Sequence, residues 1–423
     1  MPSTSTSSSP RLTELDWLRI GAFGLLILYH CGMFYVSWDW HVKSPRIVTA
    51  LEPWMRLVSP WRMSLLFVIS GAATALMAAG GRPFAASRSR RLLWPLLFGM
   101  AVVVPPQAWL EVVEKVGYRG SYLDFLGLYY QGYGGFCRGD DCLKLPTWNH
   151  LWFLPYLWVY TVMWALVWRD GGALSKRIDA AVRGLARGGR WLWLPMVFFA
   201  LARVLLLERF PTTHDLLHDA YMHVVYATMF VLGFVGFGDR SDARGAWAAA
   251  QRLRWWALAA AVIATLLVEG WLVAGDEPGP VALTAARALN GVRQWAPILA
   301  LLGFARRHLA GRDHPWRARL SEAVFPAYIV HQTVTVAVGH LIAPLAWPQP
   351  LEAAVLVAST LLACWVAWRL ARHARWLRPL MGLDAAQRPR PFNSSAGDGP
   401  APASTPTSMR ETVHPAGGRS GEG

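Results

Sequence analysis

Residues 15–35 read LDWLRIGAFGLLILYHCGMFY, the first long apolar run of the chain. It carries three polar residues that a plain membrane anchor does not need: Asp16, Arg19 and His30. At about 100° per residue, the steps from Arg19 to His30 make three turns plus roughly 20°, so a helix puts both side chains on one face. At about 1.5 Å rise per residue they stand roughly 16 Å apart along the axis. One then lies near the mouth of a ~30 Å hydrocarbon layer and the other near its middle. An imidazole at that depth is costly unless it faces a protein interior or a wet cavity, so His30 reads as a functional residue. The competing reading is a histidine satisfied by a neighbouring helix.

The whole chain follows the same pattern. Of its 423 residues 54% are hydrophobic and 16% charged, with 24 Trp. A soluble globular protein carries about 25% charged residues, so the deficit points to a membrane. Ten spans are predicted, at roughly 17–38, 54–80, 92–111, 148–168, 191–207, 218–237, 255–274, 283–304, 321–343 and 351–370, each near the length a bilayer requires. The net charge of +15 raises nucleic acid as a partner, but its placement decides otherwise. Of the 41 Lys and Arg, 28 fall on one side of the spans, 7 on the other and 6 inside them. Such a bias sets orientation, with both termini cytoplasmic. The expected fold class is all-α: a polytopic integral membrane protein of about ten transmembrane helices, with no nucleic-acid partner.

Residues 1–11 form a polar lead expected to be disordered. The run after it is too long for a cleaved signal peptide and no small-residue cleavage site follows, so the first span is expected to stay. The membrane domain is read as 12–372. Residues 373–423 are a basic, then Pro/Gly/Ser/Thr-rich cytoplasmic tail, expected to be disordered.

Further polar residues fall inside the predicted spans. Arg62 needs an anionic partner or a hydrated cavity. Ser70-Gly71 is a small pair that lets another helix or a ligand approach closely, and helix packing is the favoured reading. Arg88 and Arg91, three apart at the cytoplasmic end of span three, share a helix face. They read either as a positive-inside anchor or as a phosphate site, since guanidinium donors suit phosphate geometry. PPQAW breaks span three. Residues 112–147 form a Tyr- and Gly-rich outer connection whose aromatics suit sugar faces or the interfacial belt equally. There Cys137 and Cys142 are expected to bridge in an oxidising compartment, against a reduced pair. Cys31 and Cys364 read as small buried apolar residues.

His150 lies near the outer surface. His214 and His218, at i and i+4, raise a metal site; without the Glu of an HExxH pattern, cap and acceptor contacts are the better reading and no metal is expected. Glu269, Arg287 and Arg293 await partners within the membrane. His331, in FPAYIVHQTV, reaches a depth like that of His30, so the two imidazoles either line one cavity or pack. No nucleotide loop, Rossmann fingerprint or internal repeat is present.

These blocks resemble acyltransferase family 3 of membrane proteins. Arg19-x10-His30 with Asp16 before it is similar to the family's first-helix signature, FVISG at 67–71 to the second, and Arg88-x-x-Arg91 before Leu-Leu-x-Pro to the third. RMSLLFVISGAA, RLLWPLLFGMAVVVPPQ, HLWFLPYLW and FPAYIVHQTV look most like the branch containing glucan biosynthesis protein C. The likeness covers about residues 12–372, without the extracellular esterase-type domain of some relatives. It implies O-acylation of a periplasmic or cell-envelope glycan with a cytoplasmic acyl-CoA, in the glucan branch typically succinyl, by a multi-pass protein of the bacterial inner membrane. His30 is then the general base, since a sugar hydroxyl is too weakly acidic to attack a thioester unaided. Asp16 and Arg19 complete the expected catalytic set with His30, Asp16 holding Arg19; Arg88, Arg91 and Arg62 are the expected acyl-CoA-binding residues, with Arg19 also near the phosphates, and Arg62 or His331 would serve the oxyanion. Ser70, His150 and His331 are the expected substrate or cavity residues. A carbohydrate exporter is the competing function; its paired repeats with broken helices are not found. A non-catalytic scaffold gives no reason for Arg19 and His30 to share a face.

Overall fold

Apolar runs that must satisfy their own backbone hydrogen bonds become helices, and the computed structural model is built from them. It describes residues 12–79, 84–168, 172–274 and 279–384. In chain order the helices are α1 (Thr13–Met33), α2 (Glu52–Ala78), α3 (Phe84–Phe98), α4 (Pro105–Val116), α5 (Tyr122–Gln131), α6 (Phe153–Val167), α7 (Ala173–Leu185), α8 (Arg190–Leu206), α9 (Ala220–Leu232), α10 (Ala246–Ala274), α11 (Pro280–His308), α12 (Pro315–Ile342), α13 (Gln349–His373) and the short α14 (Leu377–Leu380). The only strands among the described residues are Cys137–Arg138 and Asp141–Cys142, a hairpin closed by the expected Cys137–Cys142 disulfide. The polar lead and the tail beyond Asp384 lie outside the described residues.

Six helical segments are long and apolar enough to cross a membrane, and eight if each of two bent pairs counts as one span. The first bent pair is the break expected at PPQAW. There α3 runs through a π-helical turn at Gly99–Val103 and bends by 44° into α4, where Pro105 and Pro106 supply no N–H. The second pair, α7 and α8, turns by 107°. Residues 169–190 had the charge of a connection, but Ile178, Val182 and Leu185 recur at helical spacing and α7 lays that face inward, with Val182 buried and Lys176, Arg177 and Arg183 exposed.

Two of the ten expected spans fall outside the six and the bent pairs. These are α1 and α11, of 21 and 29 residues, long enough to cross but less apolar. Asp16, Arg19 and His30 lower the one; Arg287, Asn290, Arg293 and Gln294 lower the other.

Polar contacts define the two ends of the bundle. At the Thr13 end, Thr13 donates to the Leu309 carbonyl at 2.9 Å and Arg306 pairs with Glu14 at 2.6 Å. At the Met33 end, Ser44 and Arg46 meet Glu352 at 3.1 and 3.2 Å. Between them α2 and α9 cross with almost no side chain at the contact. A Cβ on Gly71 would strike the Phe230 carbonyl, and one on Gly233 would strike the Val68 carbonyl. Ser70-Gly71 is therefore a close helix crossing, as the sequence favoured. Gly71→Ala pushes a methyl into backbone that cannot swing aside. We expect a loss of roughly 1–3 kcal/mol in the unfolding of the purified protein, the range for overpacked cores; unchanged stability would contradict the crossing.

Candidate active site

α1 and α12 lie side by side and run in the same direction, so their polar residues meet in register. At the Thr13 end Arg19 reaches Asp16 at 3.3 Å and also Ser321, while Asp16 pairs in addition with Arg317. Three turns on, His30 meets His331, Nδ1 to Nε2 at 2.7 Å with the rings nearly parallel. Cys31, next in sequence, points elsewhere, towards Thr335 and Thr360.

The hydrogen bonds fix the tautomers of neutral rings. His331 Nδ1 lies 2.8 Å from the Tyr328 carbonyl, which only accepts, so that nitrogen carries the hydrogen and Nε2 the lone pair. His30 Nδ1 therefore donates to His331, and the lone pair of His30 is left on Nε2. His150 is held likewise: Nε2 donates to the Ile329 carbonyl at 3.0 Å, and Nδ1 accepts from Gln107 at 3.4 Å. Gln107 donates also to Thr333 at 3.1 Å and accepts from Gln332 at 3.0 Å, so both ends of its amide are engaged.

His30 faces a cavity of about 880 Å³ on the Met33 side, whose wall includes Arg62, Asn149, His150, Tyr328 and Gln332. On the Thr13 side the space is filled by Phe23, Tyr328 and Phe153, all buried, with ring centroids 5.5 and 6.2 Å apart. Trp40 stands 5.2 Å from the His30 ring, on a loop gripped by Lys43. The Lys43 ammonium donates to the carbonyls of Met33 at 2.7 Å, Trp38 at 3.0 Å and Val36, and burial pulls its pKa down to about 8.

The predicted residues thus fall into two groups. His30, Arg62 and His150 line the cavity. His331 is fully buried behind His30, and with both nitrogens engaged it has no N–H to offer an oxyanion. Of the two candidates for that task Arg62 remains: it lies over the Tyr29 ring at 3.3 Å, and its Nε and Nη1 have no hydrogen-bond partner. Asp16, Arg19, Arg88 and Arg91 gather at the Thr13 end. Arg88 is buried, donating to the Ser70 carbonyl at 2.9 Å and Thr74 Oγ1 at 2.7 Å, so Ser70 serves a clamp between α2 and α3 and does not line the cavity. Arg91 is exposed, and both it and Arg19 lie close enough to act on Arg88 electrostatically.

The helical i, i+4 relation of His214 and His218 is absent. His214 and Leu216 take left-handed φ of 56° and 70°, and α9 starts only at Ala220. Asp219 organises the turn, accepting from the backbone N–H of Thr213 at 2.6 Å and of His214 at 2.7 Å and from the Tyr156 hydroxyl. His214 is thereby set in the cavity wall, 4.4 Å from the Trp152 ring. Among the described residues no group of three His, Cys, Asp or Glu could hold a metal ion. Gln107 and Gln332 were missed by the sequence reading. Their signal was an amide inside an apolar span, which needs a partner much as a charge does.

A histidine pair beside a cavity inside an apolar helical bundle is the central polar feature of this multi-pass membrane protein. Residues 12–369 match the family model described as an acyltransferase domain. The chain accordingly belongs to the acyltransferase 3 family and is an acyltransferase. No curated protein and no solved structure matched it.

His331 positions His30 without touching the cavity. His331→Ala strands the His30 N–H and frees the ring to adopt the other tautomer. We expect about a hundredfold fall in acyltransferase kcat with KM little changed, within the range that base catalysis supplies. His331→Asn, whose amide oxygen can accept the same hydrogen bond, should recover part of the rate. Equal rates for His331→Ala and the unaltered protein would remove the relay.

Proposed function

We propose that the protein is a transmembrane O-acyltransferase that moves an acyl group, succinyl or acetyl, from cytoplasmic acyl-CoA to a hydroxyl of a periplasmic or cell-envelope glycan. In this reading all ten long helical segments cross the bacterial inner membrane and both termini are cytoplasmic. The observation that carries it is His30: its N–H is committed to His331, and its lone pair faces a cavity.

The donor approaches from the Thr13 end, where the guanidinium groups of Arg19, Arg88 and Arg91 suit the phosphates of CoA. Its thioester has to pass the layer of Phe23, Phe153 and Tyr328 to reach His30. The acceptor comes from the Met33 end. His30 Nε2 takes the proton of the acceptor hydroxyl as that oxygen bonds to the thioester carbonyl carbon. The oxyanion forms beside Arg62, whose spare N–H groups answer the charge that develops only then. The C–S bond breaks, the thiolate receives the proton from His30, and an ester and free CoA leave. Asp16 keeps Arg19 in place and does no chemistry.

The test is purified protein in lipid discs with labelled acyl-CoA and envelope glycans. His30→Ala should lower transfer by about 10²- to 10⁴-fold while leaving folding intact. Transfer that survives this change would take His30 out of the mechanism, and glycan transport with no acylation would favour an exporter instead. Mass spectrometry of envelope glycans with and without the protein names the acyl group and the acceptor.

A further inference from the structure

The His30 cavity extends into a recess lined by residues of α2, α8, α10 and α11. Five arginines stand in its wall: Arg56, Arg62, Arg203, Arg287 and Arg293. No Asp or Glu lines it among the described residues. The carboxylates stand behind. Glu269 is shared by Arg56 at 2.9 Å and Arg293 at 3.5 Å, Glu52 pairs with Arg56 at 3.3 Å, and Glu208 pairs with Arg287 at 2.6 Å. Arg62 and Arg203 have no carboxylate among the described residues. Arg203 rests on the Tyr221 hydroxyl at 3.1 Å, and the Nε atoms of Arg62, Arg203 and Arg293 are buried without hydrogen-bond partners.

Among the described residues, five guanidinium groups against three carboxylates leave a cationic surplus in a wall that water only partly reaches. A buried guanidinium with spare donors is costly until an anion accepts them. The rim adds a second clue. Leu272 and Leu283 border the recess and are 46% and 37% exposed, so an apolar flank of the bundle leads directly into a cationic pocket.

We propose that this recess seats an anionic group of phosphate or carboxylate type, held by Arg203, Arg287 and Arg293, with Arg62 left to the oxyanion. The assignment of that anion to the acceptor rests on the acyl-transfer reading above: the acceptor is an acidic molecule whose charge docks here and whose hydroxyl is delivered to His30. The planar fork of each arginine gives two parallel donors, the geometry that phosphate and carboxylate oxygens accept best. The same anion reaches the recess either on a lipid, past Leu272 and Leu283, or on a soluble molecule.

Binding of dodecyl phosphate, glucose 1-phosphate and dodecanol to the full chain in detergent, without any acyl donor, tests this. At least one phosphate should bind, and Arg203→Gln should weaken it tenfold or more, whereas dodecanol should bind no better than background. Arg287→Gln, whose partner Glu208 lies 75% exposed at the surface, tests the same site if Arg203→Gln does not fold. Preference for dodecyl phosphate over glucose 1-phosphate identifies a lipid-borne anion, and the reverse a soluble one. The inference is overturned if both substitutions leave phosphate binding within twofold of the unaltered protein, or if dodecanol binds as tightly as dodecyl phosphate. Because no donor is present, the result does not depend on acyl transfer: anion binding in a protein that transfers nothing would keep the recess and discard the acceptor.

Discussion

A neutral imidazole has one N–H and one lone pair, and the direction of one hydrogen bond decides which nitrogen holds which. In this protein that decision is made by a backbone carbonyl. The oxygen of Tyr328 can only accept, so it fixes His331, and His331 fixes His30. A carbonyl inside a helix is a poor candidate for rearrangement, being anchored by the turns on either side. The orientation of the His30 ring is thus set by the frame of α12.

That arrangement constrains the helices that carry it. α1 must run parallel to α12 and in register, because a slip of one residue rotates His30 by about 100° away from its partner. Register is held at the far end, where Asp16 takes both Arg19 and Arg317 and Ser321 bonds to Arg19. These charges neutralise one another across the pair and make α1 less apolar than a spanning helix usually is. Insertion into a membrane is thereby made harder so that the two histidines meet. α11 shows the same compromise, with Arg287 and Arg293 on a helix otherwise long enough to cross.

Much of this was readable from residue spacing. Helix geometry alone places Arg19 and His30 on one face, and counting inward from the charged ends places His331 at the depth of His30. The break at PPQAW and the bridge in CRGDDC are local, and local chemistry shows in a sequence. What spacing cannot supply is which side of a neighbour a residue takes. His331 stands behind His30 and not across the cavity from it, a fact that depends on the rotation of α12 against α1. Ser70 offers Arg88 its carbonyl rather than its hydroxyl. The partners of Glu269 come from α2 and α11, far apart in the chain, so they were not nameable before the fold was known. The region around His214 misled for a different reason. A helical spacing of histidines was present, but Asp219 recruits the backbone ahead of it into a turn, and the helix starts later.

The layer of Phe23, Tyr328 and Phe153 has an electrical consequence. A titratable base open to both faces of an energised membrane would relay protons down the gradient and short-circuit the cell that carries it. Aromatic rings offer no file of exchangeable hydrogens, and the one hydroxyl in the layer, that of Tyr328, is turned to the His150 carbonyl at 2.7 Å. The layer thus places no file of hydroxyls between His30 and the Thr13 end, an insulating feature in a bundle that crosses a membrane.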